Sequence, residues 1–206
     1  MTSSNTSHQP RRGAGRPREF DIDASLDGAI LVFRKRGYHA TSVEDLCSAM
    51  NLTAGSIYKA FKDKRTVFLA AFDRYTSQRS TQLQVRLKDK TSGLDKIRAV
   101  LHFYAESSSG NEGTHGCLVA ASATALATFD EEMANRVEDT LLRLERMLRD
   151  FVREGQEDGS VSPAIDTFAA ARSLLCLLQG FRVIGKLGRS RSEMVAAADE
   201  AIRAFV

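Results

Sequence analysis

The spacing of apolar residues predicts helices along most of this chain. Near the N-terminus, apolar side chains recur at intervals of three, four and seven positions, which places them on one helical face: Val43, Leu46, Cys47 and Met50. Ile57 and Phe61 continue an apolar face four residues apart. Between them, Asn51 tolerates the left-handed backbone that ends a helix. The pattern therefore predicts two short helices joined by a tight turn.

Polar residues stand where these two helices would begin. Thr41 or Ser42 can cap the first helix, and Thr53 can cap the second. Helix, short turn and helix form the helix-turn-helix pattern, in which the second helix enters the major groove of DNA. Residues in the first turn of that helix are the ones that reach base edges. These residues are Thr53, Ala54, Gly55 and Ser56.

The same periodicity extends through the rest of the chain. Asp21 or Asp23 starts a first helix that Gly37 closes, and Asp63 can cap a fourth helix that runs on to Lys88. No alternating strand pattern and no internal repeat is found. The predicted fold is all-α, with about nine or ten helices, an N-terminal three-helix helix-turn-helix head and a C-terminal helical bundle. The later predicted segments are a helix from Leu94, a polar loop over 106–116, and helices over 117–129, 130–151, 166–184 and 192–205.

Three regions follow from this pattern. We expect residues 1–20 to be a disordered basic arm, 21–65 a DNA-binding helix-turn-helix domain, and 66–206 a ligand-binding and dimerisation domain. Arg16 and Arg18 in the arm are candidates for phosphate or minor-groove contacts, and the alternative is a solubilising tail. The charge supports the DNA interpretation, because residues 1–65 hold 11 Lys or Arg against 7 Asp or Glu, whereas the remainder holds 18 against 19.

Composition restricts the remaining function classes. The chain is 43% hydrophobic and 27% charged, and no run approaches the roughly 20 apolar residues of a membrane span, so no membrane partner is expected. Three widely spaced Cys argue against a disulfide framework and favour a reducing cytoplasm. No metal-binding spacing and no cofactor motif is present, so neither is expected.

Catalysis has little support in the sequence. His102 and Glu106 lie four residues apart on a predicted helix, but no GxSxG, HExxH or glycine-rich phosphate loop accompanies them. We therefore expect a protein that is not an enzyme. Cys117 follows a loop and opens a helix, where a thiol can become reactive, whereas Cys47 and Cys176 are expected to be inert on apolar faces.

The helix-turn-helix segment closely resembles the DNA-binding domain of TetR-family transcriptional regulators. The resemblance is carried by Gly37-Tyr38, by Ala40 to Val43, and by Gly55 to Tyr58 with Phe61 and Lys64, and it extends over residues 26–75. Two positions depart from the family pattern, which usually has Gly at Asn51 and Ala at Cys47. Beyond residue 75 the likeness is one of layout.

The resemblance implies which residues contact DNA. It places Thr41, Thr53, Tyr58, Lys59 and Lys64 against the phosphate backbone. Together with Ser42, Ala54, Gly55 and Ser56, they form the candidate DNA-binding surface. The second helix has no Arg, Asn or Gln for a bidentate base contact, so phosphate contacts and DNA shape should carry much of the affinity.

The resemblance also implies an effector pocket in the bundle. Apolar side chains with few polar points could line it, and the alternative is a filled core. The candidate ligand-binding residues are Phe103, Tyr104, Leu118, Ser122, Ala125, Met147, Phe151 and Leu174. The expected effector is an apolar or aromatic small molecule.

The expected function is transcriptional repression. The chain would bind double-stranded operator DNA as a homodimer, joined through the two long helices Met133–Phe151 and Phe168–Ile184, and a small-molecule effector would release it. The alternatives are an activator or a ligand-independent DNA binder of the same fold, or a small-molecule-binding or catalytic helical protein.

Overall fold

The chain folds into an all-α structure in a computed structural model that describes residues 21–125 and 130–205. Arg16, Arg18 and the predicted arm lie outside these ranges, as do residues 126–129 of the predicted helix 117–129. Within the described residues there are ten α-helices and no strand. The helices are α1 Ile22–Arg36, α2 Val43–Met50, α3 Ala54–Ala60, α4 Lys64–Leu87, α5 Gly93–Glu106, α6 Gly110–His115, α7 Leu118–Ala125, α8 Glu131–Glu157, α9 Thr167–Ile184 and α10 Arg191–Ile202.

Most helix starts coincide with the predicted capping residues. Asp21, Asp63 and Asp166 each accept a backbone hydrogen bond at the start of α1, α4 and α9. Two predictions were wrong in detail. Residues 110–115 form the short helix α6 within the predicted loop. The last helix is capped by Ser190, whose side chain forms a capping box with Glu193, and not by Ser192.

The three helices α1, α2 and α3 form the head, which packs on the first part of α4. Phe33, Leu46, Ile57 and Phe72 are almost completely buried in this core. Gly28 lets α1 and α2 cross closely, because a Cβ atom at that position would lie 1.9 Å from the carbonyl oxygen of Ala49. The core also includes residues of α7 and of the start of α8, so the head is continuous with the bundle.

A second core joins the end of α4 to α5, α8, α9 and α10. Helix α4 has 24 residues and contributes to both cores, so it spans the predicted domain boundary at 65/66, which stays a prediction. At 1.5 Å per residue its length is about 36 Å. One helix therefore connects the helix-turn-helix to the interior of the bundle.

Helix α9 is the most apolar of the long helices. Within the described part of the chain, residues 167–187 alone are long and apolar enough to cross a membrane by length and composition. This segment packs against α8 and α5 and contributes Ala171, Leu174 and Leu178 to the bundle core. The bundle core covers only part of this segment, because Phe168 and Val183 on the same segment are exposed.

Candidate DNA-binding and ligand-binding sites

Local hydrogen bonds fix the start of α2 and the start of α3, and the backbone of Asn51 ends α2 between them. Ser42 accepts from the backbone N–H of Asp45, while the Asp45 carboxylate accepts from the N–H of Ser42. Asn51 ends α2 with φ 54° and ψ 44°, the left-handed conformation for which Asn is suited. Thr53 caps α3 by accepting from the N–H of Ser56 at 3.2 Å. The predicted helix-turn-helix geometry is thus present.

The first turn of α3 is open to solvent, as a DNA-reading helix requires. Thr53, Ala54 and Gly55 are exposed, and Ser56 is half-buried. The opposite side of α3 is anchored by Ile57, which is 1% exposed. The helix therefore presents one polar, small-residue face outward and holds the other in the core.

Gly55 has no internal reason to be glycine. A Cβ atom there would meet only the Thr53 hydroxyl at 4.0 Å, and its φ is not in the left-handed region. Neither packing nor backbone conformation excludes a side chain at this position. A side chain at this position would extend into open space on the exposed face of α3.

Two further candidates extend this surface. Tyr58 is 51% exposed, although aromatic rings are usually buried, and Lys59 is exposed as well. Neither side chain hydrogen-bonds or pairs with another described residue. The phenol and the ammonium group are therefore free for phosphate oxygens.

Thr41 and Lys64, which were predicted to contact phosphates, form hydrogen bonds within the protein. Thr41 is 1% exposed, and its hydroxyl donates to the carbonyl of Gly37 at 2.7 Å. The Lys64 ammonium donates to the carbonyls of Tyr38 at 3.1 Å and Thr41 at 3.0 Å, and it lies 4.4 Å from the centre of the Tyr38 ring. The Thr41 side chain therefore stabilises the loop between α1 and α2, and the Lys64 side chain ties that loop to α4. Their predicted phosphate contacts stay predictions, and the structure gives each a structural role.

The bundle contains one large cavity between α4, α5, α7, α8 and α9. Its volume is about 630 Å³, within the range of small-molecule sites. Tyr104 and Met147 are the two predicted ligand-binding residues that line it. The full lining is Asp73, Tyr75, Thr76, Ser77, Arg79, Ser80, Thr81, Leu83, Gln84, Tyr104, Cys117, Val119, Thr140, Leu141, Arg143, Leu144, Met147, Gln179 and Arg182.

The other six predicted ligand-binding residues lie elsewhere. Leu118 is buried in the core shared with the head, and the buried Ser122 hydroxyl donates to the carbonyl of Leu118 at 2.7 Å. Ala125 is exposed. Phe103, Phe151 and Leu174 pack in the bundle core. Helix α7 is apolar on every side, so its sequence does not indicate which face meets the cavity.

Sequence reasoning missed the polar part of this lining. Tyr75 and Arg79 lie four residues apart on α4 and line the cavity, and neither is among the predicted ligand-binding residues. Arg182 was a visible signal, because it is one of only two charged residues within α9. A charge inside such an apolar helix requires a polar partner or a functional site.

The thiols and the candidate catalytic pair are also located. Cys117 is 8% exposed and lines the cavity. Cys176 is exposed, contrary to the expectation of burial on an apolar face. His102 contacts Asp199 at 2.6 Å instead of Glu106. Among the described residues no cluster of His, Cys, Asp or Glu has the geometry of a metal site.

Comparison with known proteins agrees with this architecture. Residues 26–71 match the bacterial regulatory proteins of the tetR family, and residues 93–205 match the tetracyclin repressor-like C-terminal domain. The HTH-type transcriptional repressor ComR of Escherichia coli (strain K12) is 29% identical over 198 residues, which are 94% of this chain and 92% of ComR.

Solved structures are also similar. The TetR family regulator CifR, as a cysteine mutant complexed with 26-base-pair double-strand operator DNA, is 28% identical with a TM-score of 0.82, covering 93% of this chain and 100% of CifR. The regulator FadR of Bacillus subtilis, in complex with stearoyl-CoA, shares the fold at 16% identity and a TM-score of 0.70, covering 89% of this chain and 96% of FadR. The helix-turn-helix, the helical bundle and the two matches, which together reach from residue 26 to residue 205, establish that this chain belongs to the TetR family of transcriptional regulators.

Proposed function

We propose that the protein represses transcription as a cytoplasmic homodimer, which binds operator DNA through α3 and is released when an effector occupies the bundle cavity. One observation carries the proposal. Helix α4 begins in the head at Lys64, and its residues from Asp73 to Gln84 line the cavity. The same rigid element therefore contacts both the DNA-binding unit and the ligand-binding space.

The switch follows from the geometry of a dimer on DNA. Two heads must fit successive major grooves, roughly 34–36 Å apart. A small shift of α4 in the bundle changes the position of each head, because a helix transmits displacement along its length. The factor by which an effector lowers DNA affinity cannot exceed the ratio of its affinities for the two states, the one that does not fit DNA and the one that does.

The outer face of α9 supports the dimer. Several of its apolar side chains remain in solvent in the single subunit: Phe168 is 65% exposed, Val183 59% and Ile184 45%. Gly180 on the same helix has open space where a Cβ would stand, as a helix–helix contact between subunits requires. Ala170 and Ala171, by contrast, are buried within the subunit and contribute to its own core.

An electrophoretic mobility shift with DNA from upstream of the protein's own gene tests the proposal. We expect a discrete complex that resists competitor DNA and that weakens when the effector is added. A complex unaffected by any ligand would favour the ligand-independent alternative, and a reporter gene activated by the protein would favour an activator. Absence of any specific complex with genomic DNA would contradict the proposal.

Catalysis is not part of this proposal. The relatives described above are transcriptional regulators, and the cavity lining contains no His and only one carboxylate, that of Asp73. That carboxylate is paired with Arg136. General acid–base chemistry would require a group with a free proton-transfer position facing the cavity.

A further inference from the structure

Two arginines face the cavity side by side. Arg79 of α4 and Arg182 of α9 both line it, and both contact Ser107. Arg79 Nη2 donates to the Ser107 hydroxyl at 2.6 Å, and Arg182 Nη1 donates to the Ser107 carbonyl at 3.1 Å. Because both guanidinium groups contact one residue, their positive charges lie close together and repel each other.

Among the described residues, no carboxylate forms an ion pair with Arg79 or Arg182. Glu112 acts on Arg182 only through its charge and is itself paired with Arg34. Arg182 is 5% exposed, and the Nε atoms of Arg79 and Arg182 are buried without a hydrogen-bond acceptor. Asp73 is the only carboxylate of the lining, and it pairs with Arg136. Burial and the nearby charge of Arg182 lower the pKa of Arg79. Buried charges are normally paired, so this arrangement lacks its anion.

An aromatic ring lies beside each arginine. The guanidinium of Arg182 lies 4.5 Å from the centre of the Tyr104 ring, and that of Arg79 lies 4.2 Å from the centre of the Phe103 ring. Burial raises the pKa of Tyr75 and of Tyr104, so both phenols stay protonated at neutral pH. A protonated phenol donates hydrogen bonds and adds no negative charge that would neutralise the arginines.

The remaining wall of the cavity combines aliphatic side chains with Ser, Thr and Gln side chains and with Arg143. Leu83, Leu141, Leu144 and Met147 line it from α4 and α8. A cavity with cations at one end and aliphatic side chains along the wall matches a molecule with an anionic head and an apolar body. The apolar effector expected from the sequence would leave both arginines unpaired.

We propose that the effector is an amphipathic organic anion, whose carboxylate or phosphate group is held between Arg79 and Arg182 and whose apolar part packs against Leu83, Leu144 and Met147. Guanidinium groups bind both kinds of oxyanion through paired N–H donors. The effector role of this anion rests on the proposed function, whereas the anion site itself rests on the cavity alone.

Calorimetric titration of the full chain without DNA tests the anion site. The probes are hexanoate, octanoate and decanoate, each compared with the alkyl phosphate and the alcohol of the same chain length. We expect at least one anion to bind about tenfold or more tightly than its alcohol, a difference of about 1.4 kcal/mol. The comparison of carboxylate with phosphate identifies the head group.

Three variants locate the binding energy. Arg182→Met and Arg79→Met should each reduce the preference for the anion by about tenfold or more, because each removes one positive charge that faces the cavity. Arg146→Met is the matched control, since Arg146 is exposed on the same helix α8 but does not line the cavity, and it should keep the preference. Arg79→Met keeps the test decisive if Arg182→Met does not fold.

The proposal is overturned if no anion binds, or if the alcohols bind as tightly as the anions. It is also overturned if both Arg79→Met and Arg182→Met keep the anion preference. The same ligands added to a protein–operator complex test the function separately. An anion that binds through the arginines but leaves DNA affinity unchanged would contradict the ligand-responsive function and leave the site intact. Release of DNA by an uncharged molecule alone would support the function and overturn the anion site.

Discussion

A substitution at Gly55 is expected to affect DNA affinity and stability in opposite directions. Gly55 lies in the exposed first turn of α3, and a Cβ atom there would meet open space. Replacing it with alanine favours the helical state by up to about 1 kcal/mol. We expect Gly55→Ala to be as stable as the wild type or more so, while its DNA affinity falls, because the added methyl group faces the DNA. Thermal unfolding and fluorescence anisotropy with labelled operator measure the two effects.

Ala196→Gly is the matched control for that change. Ala196 is exposed on α10, far from the head in the sequence, and glycine there should lower stability by about 1 kcal/mol. Its DNA affinity should not change. A Gly55→Ala protein that binds operator as tightly as the wild type would show that DNA does not approach this turn.

Lys59 and Lys64 carry the same charge in different surroundings. Lys59 is exposed, whereas the Lys64 ammonium already donates to two backbone carbonyls. We expect Lys59→Ala to reduce the slope of log affinity against log salt by about one unit, since one phosphate contact is lost. Lys64→Ala should mainly lower the free energy of unfolding. A change of salt slope in Lys64→Ala with unchanged stability would restore its predicted phosphate role.

At the scale of helices, ion pairs connect the start of α4 to the start of α8. Arg65 Nε donates to Asp130 at 2.6 Å, and its Nη2 donates to Glu132 at 2.8 Å. The hydrogen bond from Arg65 is the main reason that the pKa of Asp130 falls to about 2, from its usual 3.8. A carboxylate with a lowered pKa stabilises the fold above its unfolded-state pKa and loses that contribution as the pH falls toward the folded-state value.

We therefore expect Asp130→Asn to destabilise the protein at pH 7 and to approach wild-type stability as the pH falls from about 4 to 2. Asparagine keeps the N-cap of α8, so the difference reports the charge. Urea unfolding across this pH range measures it. Asp89→Asn, at an exposed position without a described ion pair, should show no such convergence. A deficit that is equal at every pH would assign the effect to shape and not to charge.

The helices themselves were largely predictable, because their ends depend on local chemistry. Ser42, Asn51 and Thr53 have roles set by hydrogen bonds within a few residues, and the sequence identified all three. Helix α6 was missed because its glycines have low helix propensity, and its formation depends on packing against distant residues. A Cβ atom at Gly113 would lie 2.9 Å from the carbonyl oxygen of Gly185, which is distant in the sequence.

The cavity was harder to predict because it also depends on contacts between residues that are far apart in the sequence. Which face of the Ala-rich helix α7 turns inward is a property of the assembled bundle. Leu118 lies in the core shared with the head, and the Ser122 hydroxyl donates to the Leu118 carbonyl. Arg79 and Arg182 are 103 positions apart in the sequence, and only the fold brings them to Ser107. The DNA-binding surface was more accessible to sequence reasoning because it lies within one short segment.

At the scale of the whole molecule, the exposed apolar side chains on α9 predict a dimer. Val183 is 59% exposed, so glutamate there should be tolerated by the single subunit but place a charge in the subunit interface. We expect Val183→Glu to sediment as a monomer at micromolar concentration, and to bind operator more weakly because two heads no longer bind together. Val85→Glu, at a 69% exposed position on α4, is the control and should remain dimeric. A wild-type monomer at that concentration would contradict the proposed interface.

In the proposed dimer, two copies of α3 read operator DNA together. Selection of bound fragments from a random pool of double-stranded DNA, with the wild-type protein, tests it most directly. We predict enrichment of a pseudo-palindromic sequence, whose half-site centres lie one helical turn apart, about 10 base pairs, or a multiple of it. Failure to enrich any sequence, or enrichment of a single half-site without a symmetric partner, would contradict the claim.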